Sequence, residues 1–179
     1  FTQKKILINI PTFSSYYEFV KEGTEVIYNN LKKENDYRLD IKDLVNKVKE
    51  TEPDTVVIIN PNNPDGGYIP VAALQDLLEE LKSVETIILD ESFIHFAYED
   101  SSFDPINTQA LIEKYPNLVI IKSMSKDFGI AGVGAGYGVM SKERVRALIK
   151  NCYRGNSNGL SEFFFRLYVR DDFARDQRP

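Results

Sequence analysis

Three uninterrupted apolar runs constrain this chain most: Thr55-Val56-Val57-Ile58-Ile59, Thr86-Ile87-Ile88-Leu89 and Leu118-Val119-Ile120-Ile121. None alternates polar with apolar, so each reads as a strand buried on both faces. Such strands need helices above and below them, which is the habit of a mostly parallel sheet. The segments between them supply those helices. Asp40 to Glu50 carries Ile41, Leu44, Val45 and Val48 at helical spacing, with Asp40 placed as N-cap. Residues 70–82 open on Pro70 and turn Leu74, Leu77, Leu78 and Leu81 inward.

The rest of the chain continues the alternation. Lys5 to Ile10 reads as a strand, and Thr12 to about Gly23 as a helix. Thr24 to Tyr28 is a short strand, followed by a polar loop over residues 29–39. Asn107 to Tyr115 is helical, Ala135 to Met140 is a strand, and Ser141 caps a helix reaching Asn151. A last helix, Ser157 to Val169, contains Phe163-Phe164-Phe165, read as core because three successive aromatics cannot share one helix face. The expected fold class is α/β: three layers, a mostly parallel sheet with helices on both faces, in one domain over residues 1–179.

Composition removes several function classes. A net charge of −5 and a pI near 5.0 leave no basic footprint for nucleic acid. Cys152 is the only cysteine, so no internal disulfide forms, which suits a reducing cytoplasm. His95 is the only histidine, which excludes a histidine-based metal cluster within this chain. No apolar run approaches the roughly 18 residues that span a bilayer as a helix. The chain is expected to be cytoplasmic, without a membrane or nucleic-acid partner. It begins at Phe1 almost directly in a strand pattern and ends in Arg-Asp-Gln-Arg-Pro without a closing element. That pattern reads as a fragment.

Three of the strands end in polar groups: Asn60 to Gly67, Asp90-Glu91, and Ser123 to Lys126. In a parallel sheet these carboxyl ends share one edge, where ligands bind. A lysine there can act as a Schiff-base nucleophile when crowding favours its neutral amine. Lys126 lies in the loop; Lys122 is a competitor at the end of the strand and ranks lower. Asp90, at the end of a hydrophobic run, needs a cation partner, or else caps a helix or forms a salt bridge. Asn63 beside Pro64 also reads as a turn residue, and Ser123 and Ser125 as solvated loop serines. His95, between Ile94 and Phe96, reads as a satisfied, partly buried histidine.

Asn60-Pro61-Asn62-Asn63-Pro64-Asp65-Gly66, Asp90-Glu91-Ser92-Phe93 and Ser123-Met124-Ser125-Lys126-Asp127-Phe128-Gly129 together resemble the signature segments of fold-type I pyridoxal-phosphate enzymes. The group most resembled is the class I/II aminotransferases related to histidinol-phosphate aminotransferase. Order and spacing agree, with 27 residues from Asn63 to Asp90 and 36 from Asp90 to Lys126. Pro11-Thr12-Phe13-Ser14 adds a weaker match.

The resemblance implies a pyridoxal 5'-phosphate cofactor and the following roles. Lys126 would form the internal aldimine and then shuttle a proton. Asp90 would pair with the pyridine nitrogen, Asn63 would bond the phenolic oxygen, Phe13 would stack on the ring, and Ser123 and Ser125 would lie near the phosphate. The implied activity is transamination between an amino acid, or amino phosphate, and a 2-oxo acid, in a homodimer. The chain would be the large, cofactor-binding domain, lacking an N-terminal segment and a small C-terminal domain, and inactive by itself.

This sequence departs from the family pattern in four places. Gly134 stands eight residues after Lys126, where the family has a phosphate-binding arginine, and Phe93 stands where a tyrosine is common. Asp65 replaces the usual threonine, and the arginine for the substrate carboxylate has no match. Phe93 is compatible with a threonine-phosphate decarboxylase-like lyase of the same fold. Gly134 is compatible with a non-catalytic relative.

Overall fold

The computed structural model describes residues 4–97, 108–151 and 157–170, so Cys152, Asn107 and the terminal Arg-Asp-Gln-Arg-Pro lie outside the described residues. Its elements are β1 (Lys5–Ile10), α1 (Ser15–Glu18), β2 (Glu25–Asn30), α2 (Ile41–Thr51), β3 (Thr55–Ile59), α3 (Val71–Glu80), β4 (Thr86–Asp90), α4 (Thr108–Lys114), β5 (Leu118–Ser123), β6 (Gly136–Met140), α5 (Lys142–Asn151) and α6 (Gly159–Tyr168). They build an α/β fold around one six-stranded sheet in the order β2-β1-β3-β4-β5-β6. β6 alone runs antiparallel, pairing with β5 from Val119↔Met140 to Ser123↔Gly136.

The apolar runs behave as their composition requires. All five residues of β3 are buried. One sheet face carries Leu7, Val56, Ile58, Ile87, Leu89, Leu118 and Ile120 in a cluster with the inner faces of α2 and α3 and with Ile112 of α4. On the other face Ile6, Ile8, Val57 and Ile59 pack against Tyr16, Tyr17 and Val20. Asp40 caps α2, its side chain accepting from the amides of Lys42 at 2.9 Å and Asp43 at 3.2 Å.

Two expectations change. The helix after β1 is a single turn, Ser15–Glu18, not a run to Gly23. Ser14 makes no side-chain cap, Phe19 is 81% exposed, and Gly23 turns the chain at φ +84°, so no buried stripe sustains a longer helix. β2 reaches Asn30, two residues into the expected loop. Its last residues pair with Asn9 and Ile10, and Asn29 Nδ2 donates to Asn9 Oδ1 at 2.8 Å. Of the phenylalanine triplet, Phe164 is buried and Phe163 is exposed, as one helix face allows.

Candidate active site

Because β1, β3, β4 and β5 are parallel, the segments following each of them meet along one sheet edge. Thr12, after β1, donates to Asn62 Oδ1 at 2.7 Å, and Asn62 Nδ2 returns a bond to Pro11 O at 3.1 Å. Asp90 closes β4 and is buried. Its Oδ1 accepts from the Ser92 amide at 2.8 Å and the Ser92 hydroxyl at 2.5 Å. Its Oδ2 accepts from the Tyr16 hydroxyl at 2.6 Å. A carboxylate oxygen offers two lone pairs, so Oδ2 keeps room for one more donor. Burial, the charge of Asp90 and this hydrogen bond push the Tyr16 phenol well above its ordinary range, which keeps it a donor.

Ser92 also ties β4 to β5: its hydroxyl accepts from the Ser123 amide at 3.1 Å. Ser123 Oγ then accepts from the Ser125 amide at 3.3 Å. Beyond them Lys126 is exposed, its Nζ 6.0 Å from the centre of the Phe93 ring. Phe93 and Asn63 line a common cavity of about 450 Å³ with Pro61, Pro64, Tyr68 and Phe96. Phe13 is half-exposed, one turn before Tyr16. The structure therefore gathers Asp90, Ser123, Ser125 and Lys126 around Ser92 and Phe93. Asn63 joins them across the Phe93 cavity, and Phe13 stays at the margin.

Lys122 points elsewhere. It is buried, donating to Glu91 O at 3.0 Å and Ser92 O at 3.4 Å, and it forms an ion pair with Asp127 Oδ2. His95 is satisfied as expected, its Nδ1 2.5 Å from the same Asp127 oxygen. Sequence reasoning passed over Tyr16, Ser92 and Asp127. Ser92, two residues beyond a strand-terminal aspartate, carried a local signal as an Asx-turn partner. Tyr16 and Asp127 did not, since their partners are distant or on another element.

The family model for aminotransferase class I and II matches residues 1–163. The chain belongs to this family. An L-serine phosphate decarboxylase of Campylobacter jejuni is 57% identical over 173 residues, covering 97% of this chain and 44% of that protein. An L-serine phosphate decarboxylase of Sulfurospirillum multivorans is 47% identical over 96% of this chain and 44% of its own length. A solved decarboxylase structure from that organism superposes with a TM-score of 0.90 at 46% identity, covering 98% of this chain and 45% of that one. A histidinol-phosphate aminotransferase structure from Clostridium acetobutylicum gives 0.80 at 30% identity, covering 98% of this chain and 51% of that one. The chain thus spans about half the length, or less, of these class I and II relatives.

The identities correct the expectation of transamination. Decarboxylases at 57% and 47% stand well above the aminotransferase at 30%, so the lyase alternative raised by Phe93 is the better reading. The class I and II family works with pyridoxal 5'-phosphate. The residues present fit it: a buried carboxylate with a spare lone pair, a cavity walled by an amide and an aromatic ring, and an amine over that ring.

Proposed function

We propose that this chain is the cofactor-binding part of a pyridoxal-phosphate-dependent decarboxylase acting on a phosphorylated amino acid of the L-serine phosphate type. One observation carries the reading: the Asp90–Lys126 edge occurs in a chain 57% identical to an L-serine phosphate decarboxylase. When bound, the cofactor supplies an electron sink for the pair left when the carboxylate departs as carbon dioxide. Lys126 would hold the cofactor covalently and return a proton to the substrate carbon from Nζ. Asp90 Oδ2, oriented by Tyr16 and Ser92, would keep the cofactor's ring nitrogen protonated. Asn63 would bond the ring's phenolic oxygen, Phe13 would cover the ring face, and Ser123 and Ser125 would lie near the phosphate. Phe93 has no hydroxyl and offers only an apolar wall.

The chain would act as the large domain of a longer, cytoplasmic, homodimeric enzyme. With the full-length protein and O-phospho-L-serine, the expected result is carbon dioxide and O-phosphoethanolamine without a 2-oxo acid. The Lys126→Ala variant should lose both turnover and the visible absorbance of the lysine-bound cofactor. A 2-oxo acid product, or a chromophore that survives Lys126→Ala, would overturn the reading.

A further inference from the structure

On the inner side of the loop that carries Lys126, three ionisable side chains converge. Asp127 follows Lys126 directly, and its side chain is only 5% exposed. Its Oδ2 takes Lys122, 3% exposed, from the end of β5, and His95, 20% exposed, from the short turn after β4. An ionised carboxylate only accepts, so His95 Nδ1 carries the proton of that bond. Burial alone would raise the Asp127 carboxyl, but the bonds from His95 and Lys122 outweigh it and hold it below the usual range. Asp127 Oδ1 is buried and has no hydrogen-bond partner among the described residues.

Burying an ion pair to satisfy a loop is expensive, because both ions lose water and a half-satisfied carboxylate adds its own penalty. Stability alone is a poor reason for such a group. Its position offers another. The backbone on either side of Lys126 is anchored: Met124 is fully buried, and Phe128 packs edge-on against His95 at 5.9 Å and Tyr168 of α6 at 5.3 Å. Asp127 faces in while Lys126 faces out. The shared Oδ2 ties the loop to both β4 and β5, the two strands whose ends also bear Asp90 and Ser123.

We propose that Asp127 is a positioning residue for Lys126, clamping the lysine loop to the ends of β4 and β5 through Lys122 and His95. The inference rests on the reading of Lys126 given under the proposed function. Besides Lys122 and His95, Tyr137 on β6 feels the charge of Asp127, and around them stand Glu91, just past β4 and within reach of Lys122 and Tyr137, and Tyr168 on α6, which acts on Tyr137. Removing the Asp127 charge leaves Lys122 with the carbonyls of Glu91 and Ser92, and the inner side of the lysine loop loses its ionic anchor. Without that anchor the Lys126 amine loses its fixed place at the sheet edge, which should slow its capture of a carbonyl.

The test uses the full-length apo-protein as wild type, Asp127→Asn, Asp127→Glu and His95→Ala. Borohydride trapping with added pyridoxal phosphate reports how fast Lys126 captures the cofactor. Thermal unfolding runs alongside. Asp127→Asn should slow trapping about tenfold or more, as expected when a reacting group is misplaced by an ångström. Asp127→Glu should recover part of that rate, which a merely destabilised fold would not, and His95→Ala should slow trapping by a smaller factor. An unchanged trapping rate in Asp127→Asn, with only the unfolding temperature lowered, would overturn the proposal. If Asp127→Asn does not fold, a wild-type trapping rate in His95→Ala overturns it instead. Wild-type trapping at a lysine other than Lys126 would remove the underlying reading, and this inference with it, so the two failures are distinguishable.

Discussion

A carboxyl group one residue past Asp90 carries the clearest pH signature in the molecule. Glu91 is 7% exposed, and burial, against the attraction of Lys122 and with the repulsion of Asp90, raises its pKa from 4.5 to about 7. Its native state therefore binds more protons than its unfolded state between those values. The sign follows: the contribution is fully present below the unfolded value and is lost as pH rises through the native one. Unfolding free energy measured in urea should fall across that window, by about 3 kcal/mol at most from this group. The Glu91→Gln variant should flatten the slope. A slope unchanged in Glu91→Gln would mean that other groups set it. Neither this shift nor the Tyr16–Asp90 bond is legible in the residues alone. The sequence marks a strand ending in two acids, but which acid meets a phenol 74 positions away and which is buried near Lys122 is settled by packing.

At the scale of the element, β5, its loop and β6 decide how Lys126 is presented, and two glycines in them have distinct reasons. Gly136 faces the β5 backbone so closely that an added Cβ would lie 2.8 Å from Lys122 O. Gly134, in the position of the family's arginine, ends a 3-10 turn at φ +63° with open space around it. A side chain at Gly134 thus meets conformational cost alone, about 1 kcal/mol, whereas one at Gly136, where φ is not left-handed, must push two strands apart. Denaturation midpoints should rank wild type, then Gly134→Ala, then Gly136→Ala. The reverse order would contradict the close approach at Gly136. An arginine placed at 134 would also sit on a left-handed backbone. Elsewhere the elements were readable where a buried stripe runs along them, as in α2 and α3. They were misjudged where partners set the length: α1 stops after one turn, and β2 is drawn out by its ladder with β1.

Across the whole molecule, stability is concentrated on the face that α2, α3 and α4 cover. Ile58 is 1% exposed at the centre of that cluster. Ile58→Ala should cost about 2–5 kcal/mol, the lost transfer energy plus a cavity that a rigid sheet cannot close. Calorimetry or denaturant unfolding checks it; a cost under about 1 kcal/mol would mean that the site collapses around the smaller side chain. The sequence by itself determined the α/β class, the buried strands and the three polar strand ends, because hydrophobic period and turn chemistry are local properties. It placed Lys126, Asp90, Ser123 and Ser125 on one edge, because parallel strands leave their carboxyl ends no other side. Only the tertiary structure decided that Tyr16 and Ser92 hold Asp90, that β6 turns antiparallel, and that Lys122 faces inward to Asp127 and His95 while Lys126 faces out. Those contacts join residues with no period between them, and the energy that selects them is the cost of burying each charge without its partner.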